Sequence, residues 1–162
     1  MILIGTGGNL DSSFGTVYQT LDKAFELLEQ RGCLIEKCSG WYKTAPVPIS
    51  SQPWYHNRVF SIKTEQRPQE LIKTLLGVEA DLGRVRTVKN AARVLDLDLL
   101  AYNEEIINEP PETIVPHPRM HLRAFVLYPM SEIAPDWIHP ILKQSISELI
   151  RLLPADQEII KE

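Results

Sequence analysis

The chain has 162 residues, a formal net charge of −4, and 44% apolar against 23% charged residues. That length predicts one domain over residues 1–162, able to bury about 70% of its surface, and the composition excludes a disordered, collagen-like or disulfide-dense protein. The negative charge argues against unspecific binding to nucleic acid or acidic membranes. No apolar run reaches the roughly 18 residues of a membrane span.

Residues 2–6 read as a buried strand, and Gly7-Gly8-Asn9-Leu10-Asp11-Ser12-Ser13 as a turn. Met1 to Gly5 lacks the basic start of a signal peptide. Phe14, Val17, Leu21, Ala24, Phe25 and Leu28 recur at helical spacing, predicting a helix from about 13 to 30 that stops at Gly32. Cys33 and Cys38 lack framework spacing, so reduced thiols and a cytoplasmic location are expected. A strand is predicted over 34–44, then a proline-bearing loop from Thr44 to Tyr55, then a strand over 57–64. Pro68 suits the first turn of a second helix, with Leu71, Ile72, Leu75, Leu76 and Leu82 as its apolar face. Residues 84–93 form a basic loop, Val94–Tyr102 a strand, and 106–108 a possible partner for that strand. Helical periodicity covers 121–133, with Pro129 expected to kink or end it. A last helix is placed at about 143–153. The order predicts an α+β fold of the split βαβ arrangement: an antiparallel sheet with helices packed on it.

Asp96 and Asp98 stand two apart in a strand, so both carboxylates share a face about 6.5–7 Å apart. Val94 and Leu100 are expected on that face, and Leu95, Leu97 and Leu99 in a core behind it. Two carboxylates so close repel unless a divalent cation relieves them, and oxygen ligands of this kind suit Mg²⁺. A solvated edge strand is the alternative. The preceding loop holds Arg84, Arg86 and Arg93, whose guanidinium forks match phosphate oxygens. Glu79 lies four residues after Leu75 and three before Leu82, beside the apolar stripe. A carboxylate there needs a partner, from a ligand, an arginine or the fold itself. His117 sits in the rigid Val115-Pro116-His117-Pro118-Arg119, and the four histidines match no zinc spacing. Tyr55 and Phe125 could sandwich a flat ring whose polar edge Asn57 would satisfy. Neither G-x-G-x-x-G nor a P-loop is present.

These constellations resemble 6-hydroxymethyl-7,8-dihydropterin pyrophosphokinases, nearly end to end. The likeness rests on Gly7-Gly8-Asn9-Leu10, Tyr42-Lys43-Thr44-Ala45-Pro46 and Gln52-Pro53-Trp54-Tyr55-His56-Asn57. It rests further on Glu79 with Gly83-Arg84-Val85-Arg86, on Arg93-Val94-Leu95-Asp96-Leu97-Asp98, and on Pro116-His117-Pro118-Arg119 through Arg123 and Phe125. The resemblance implies a ferredoxin-like fold, an αβα sandwich, and a monomeric cytosolic enzyme of folate biosynthesis that transfers pyrophosphate from MgATP to the pterin hydroxymethyl group and releases AMP. It implies two Mg²⁺ on Asp96 and Asp98, and phosphate contacts from Arg84 and Arg93, with those four residues catalytic. ATP would also meet Glu79, Arg86, His117 and Arg123. The pterin would be held by Thr44, Val47, Tyr55, Asn57 and Phe125.

Residues 87–93 lack the Trp-Gly-Pro usual in that family, Gly8 replaces a serine, and Ala45 a proline. Two other readings of the residues stay open. A metal-dependent nucleotidyltransferase would release pyrophosphate in place of AMP. A catalytically degenerate paralogue would bind pterin or ATP without turnover.

Overall fold

The computed structural model describes residues 1–46, 50–83 and 94–162. The basic loop at 84–93 and Val47 lie outside the described residues. In chain order the elements are β1 (Ile2–Gly8), α1 (Val17–Gln30), β2 (Leu34–Cys38), β3 (Tyr42–Thr44), β4 (Tyr55–Lys63) and α2 (Pro68–Asp81). Then come β5 (Asp96–Tyr102), β6 (Ile107–Glu109), β7 (Thr113–Val115), a 3₁₀ turn at Met120–Leu122, α3 (Ala124–Ile133), α4 (Ile146–Arg151) and β8 (Ile159–Lys161).

The main sheet runs β5-β1-β4-β3-β8, with β2 also on β4, and every pairing is antiparallel. All seven residues of β1 are buried, because both faces of the sheet are covered. Ile2, Ile4, Phe60, Leu95 and Leu97 pack with Leu21, Leu28, Leu71 and Leu75 of α1 and α2. Leu3, Val59 and Leu100 pack on the opposite face with Val126, Leu127, Met130 and Leu149 of α3 and α4. The layers are therefore helix, sheet, helix, the arrangement the sequence predicted. Each such Leu or Ile contributes about 1.5–3 kcal/mol by leaving water.

Several boundaries differ from the sequence reading. The helix expected from 13 starts at Val17, because Thr16 caps it: the Thr16 hydroxyl accepts from the Gln19 amide, and the Gln19 side chain accepts from the Thr16 amide. Thr16→Ala should lower stability by about 1 kcal/mol. Urea unfolding checks this, as a lower midpoint at unchanged slope. The turn expected at Gly7-Gly8 starts later, since both glycines belong to β1. The strand expected over 34–44 is two strands, pairing with the two ends of β4. Between them the Gly40 amide leaves the ladder and donates to Glu132 on α3, 2.9 Å away. Glu132 also accepts from the Tyr42 hydroxyl and pairs with Lys161, so α3 holds β3 and β8 in place.

Leu76, expected in the core, is 46% exposed, and Val78 is buried instead. The possible partner of β5 at 106–108 pairs elsewhere: Ile107–Glu109 folds back on Thr113–Val115 around Pro110-Pro111. Pro129 neither ends α3 nor shortens it. Ala124, Val126, Leu127, Pro129, Met130 and Ile133 are all buried, and that packing outweighs the roughly 3 kcal/mol cost of an interior proline. The last helix begins only at Ile146, capped by Ser145 with Glu148. β8 carries too short a pattern to read from sequence and exists through its pairing with β3.

Candidate active site

The register of three strands assembles the site. Gly7 of β1 stands opposite Asp96 on β5 and opposite Asn57 on β4, and Asn57 stands opposite Tyr42 on β3. Cross-strand partners share a face, so these residues form one row across the sheet. Gly5 stands opposite Asp98 in the next row. With glycines at both β1 positions, no β1 side chain stands between the acids and Asn57. The face is the one that α3 and α4 cover farther along, at Leu3, Val59 and Leu100.

Asp96 and Asp98 are half-buried on that face, with Leu97 and Leu99 buried behind them, as alternation predicted. Val94 departs from the prediction: it precedes β5 and packs with the α1–α2 core. The Thr6 hydroxyl donates to the Asp96 carbonyl at 2.8 Å, fixing the start of the strand. Among the described strands β5 stands at the edge of the sheet, so its outward amides have no strand partner there. Glu79, 2% exposed on α2, meets one of them: its Oε2 accepts from the Leu97 amide at 2.7 Å. The carboxylate placed beside the apolar stripe is thus satisfied in part within the fold, and it braces the peptide between the two aspartates.

At the other side of the glycines, Asn57 and Thr44 are both buried, and Asn57 Nδ2 donates to Thr44 Oγ1 at 2.6 Å. The Asn57 Oδ1 lies over Gly7 so closely that a Cβ there would stand well under 3.0 Å from it. Tyr55, half-buried, opens β4 opposite Thr44. Phe125 lies in the first turn of α3, which packs on β4 and β3. The Arg123 guanidinium sits over the Phe125 ring, 5.4 Å from its centroid, a cation–π contact.

β7 leads to His117, whose amide donates to the Leu100 carbonyl at 2.9 Å and so ties it to β5. Burial pushes the His117 imidazole below its ordinary value; the Asp98 charge opposes this, and Arg123 and Arg119 add to it. His117 Nδ1 accepts from the Arg119 amide at 3.1 Å, so the neutral ring carries its proton on Nε2, as a donor. The electrostatic neighbours of this ring thus include Asp98 and Arg123. The sequence reading missed the floor formed by Gly5 and Gly7; a Gly-Thr-Gly run within a buried strand was its only trace.

The donor set fits Mg²⁺. Two half-buried carboxylates on one strand face offer hard oxygen ligands and leave the remaining positions to water and phosphate. Among the described residues no group of three His, Cys, Asp or Glu side chains forms a closed cage. Nor, among them, is any helix long and apolar enough to cross a membrane.

Solved structures give the fold class. A Plasmodium falciparum HPPK-DHPS crystal structure with pteroate matches 93% of this chain at a TM-score of 0.71 and 12% identity, a likeness of fold. The chain covers 43% of that longer protein. Sequence comparison goes further. The profile of the 7,8-dihydro-6-hydroxymethylpterin-pyrophosphokinase family matches residues 3–135. The 2-amino-4-hydroxy-6-hydroxymethyldihydropteridine pyrophosphokinase of Haemophilus influenzae is 39% identical over 94% of both chains. The enzyme of the same name from Synechocystis is 40% identical over 91% of this chain and 73% of its own length. A folic acid synthesis protein of Dictyostelium discoideum is 36% identical over 88% of this chain, which spans 22% of that protein. The chain belongs to the 7,8-dihydro-6-hydroxymethylpterin-pyrophosphokinase family. It is an enzyme of pyrophosphoryl transfer in folate biosynthesis.

Proposed function

We propose that the chain transfers the terminal pyrophosphoryl group of ATP to the hydroxymethyl group of 6-hydroxymethyl-7,8-dihydropterin and releases AMP. The observation that carries this reading is the row Asp96–Gly7–Asn57, which sets an acid pair and an amide pocket on one sheet face with no side chain between them. The pocket suits the pterin. Asn57 Nδ2 is committed to Thr44, so Oδ1 is the acceptor for ring N–H groups. Tyr55 and Phe125 would stack on the ring, with Val47 beside it.

The acid side suits the nucleotide. Asp96 and Asp98 would hold Mg²⁺, which when bound neutralises phosphate charge and acidifies the attacking hydroxyl. His117 would donate from Nε2 to ATP, and Arg123 would contact it. Arg84, Arg86 and Arg93 would engage the phosphates and spread the charge that develops as the β-phosphorus changes partners. Glu79 belongs to this nucleotide side through the backbone of β5. The hydroxyl oxygen forms the new bond to the β-phosphorus as its proton passes to solvent, the bond from the β-phosphorus to the oxygen bridging it to the α-phosphorus breaks, and AMP departs with that oxygen. The reading carries with it one domain, a monomer, and a cytoplasmic location that keeps Cys33 and Cys38 as the free thiols they are here.

The test is direct: incubate the protein with MgATP and 6-hydroxymethyl-7,8-dihydropterin and measure AMP. Pterin-dependent AMP is expected. Release of pyrophosphate instead would establish a nucleotidyltransferase. Binding of both ligands with no AMP would establish a binding paralogue.

A further inference from the structure

We propose that Asn9 is a positioning residue for pterin binding, acting on Tyr55 through Gln52. The proposal rests on the reading that Tyr55 stacks on the pterin. Asn9 follows directly on the end of β1 and is 6% exposed. Its Nδ2 donates to Gln52 Oε1 at 3.1 Å and to the Pro53 carbonyl at 3.0 Å. Both amide hydrogens therefore go to the segment that enters β4. The same Gln52 oxygen accepts from the Tyr55 hydroxyl at 3.4 Å. One amide oxygen is shared by Asn9 and Tyr55.

This sharing fixes the tyrosine at two ends. Its backbone is held in β4 opposite Thr44, and its hydroxyl is aimed at Gln52. Gln52 is held in turn by the residue two places after Gly7, and Gly7 stands opposite Asn57. The ring that stacks and the amide that reads the heterocycle edge are thereby referenced to one strand end. Without this bond from Asn9 the Gln52 amide is held less firmly, the ring can swing away from Asn57, and the cost of ordering it falls on binding. The Asn9 bonds run to Gln52 and Pro53, on the Asn57 side of the glycines, so their loss should spare ATP.

The test measures the Kd of 6-hydroxymethyl-7,8-dihydropterin and of MgATP separately, by calorimetry. Asn9→Ala and Asn9→Asp each remove the donor, and each should weaken pterin binding about tenfold, as loss of a buried hydrogen bond does. MgATP binding should stay within about twofold. Gln52→Glu keeps an acceptor for both partners and should retain pterin affinity, whereas Gln52→Ala should lose as much as Asn9→Ala. The double variant Asn9→Ala/Gln52→Ala should lose little more than either single one. Gln52 lies in a half-exposed loop, so its variants carry the test where Asn9→Ala does not fold. Equal loss of both ligands, or unchanged pterin binding, overturns the proposal alone. Wild-type protein that binds no pterin overturns it together with the functional reading.

Discussion

Asp98→Ala is expected to lower pterin-dependent AMP formation about a thousandfold, the size of effect seen when a group that stabilises transition-state charge is removed. The melting temperature should move by no more than about 2 °C. The two expectations follow from one fact of strand geometry. Asp98 projects from the face where β1 has only Gly5 opposite it, while the buried Leu97 and Leu99 hold β5 to the α1–α2 core. Truncation therefore opens no core cavity. Asp98→Asn keeps the shape and loses the charge, and it should be nearly as inactive. A second readout is independent of turnover. The Asp98 charge raises the His117 value against the opposing effect of burial. Removing that charge favours the neutral ring, so the NMR titration of His117 should shift to lower pH in both variants. A titration that stays in place would show that the two side chains do not communicate. An active Asp98→Ala enzyme would remove the metal assignment.

The acid pair was legible in the sequence because it needs only a strand's period of two: alternating Asp and Leu place two carboxylates on one face whatever the neighbours are. The layered fold was legible for a similar reason, since α1 and α2 show their apolar stripes locally. What was illegible depends on pairing between distant strands. Asp96, Gly7 and Asn57 form a row only through the registers of β5, β1 and β4, and no local pattern encodes a register. Glu79 shows the intermediate case. Its place on the stripe announced a buried carboxylate in need of a partner, and one partner is the Leu97 amide on a strand formed later in the chain. Asn57 was singled out from the residues as a reader of a heterocycle edge, and the resemblance added Thr44 as an expected pterin contact. The bond between them, and the glycine that makes room for it, came only from the fold.

That glycine carries the other large expected effect. A Cβ at Gly7 would stand well under 3.0 Å from Asn57 Oδ1 and 3.4 Å from both Asn57 Cγ and the His56 carbonyl. Asn57 has little room to yield, because it is buried and its Nδ2 is bound to Thr44 at 2.6 Å. In Gly7→Ala it must rotate and abandon Thr44, leaving buried polar groups unpaired. Stability should fall by about 1–3 kcal/mol, more than the roughly 0.5–1 kcal/mol that replacing a strand glycine would otherwise gain. Pterin affinity should fall about thirtyfold or more, while MgATP affinity stays within about twofold. Gly5→Ala is the control. The three atoms nearest its Cβ would be Cδ1, Cδ2 and Cγ of Leu100, at 3.3 to 3.5 Å, so an apolar side chain has to give by a few tenths of an ångström. That variant should keep pterin affinity and lose less than about 1 kcal/mol of stability. Asn57→Ala placed in the Gly7→Ala background separates crowding from recognition. It removes the collision, so stability should recover in part, but it also removes the acceptor, so pterin binding should stay lost. Recovery of both would mean that the pterin is held elsewhere on the sheet.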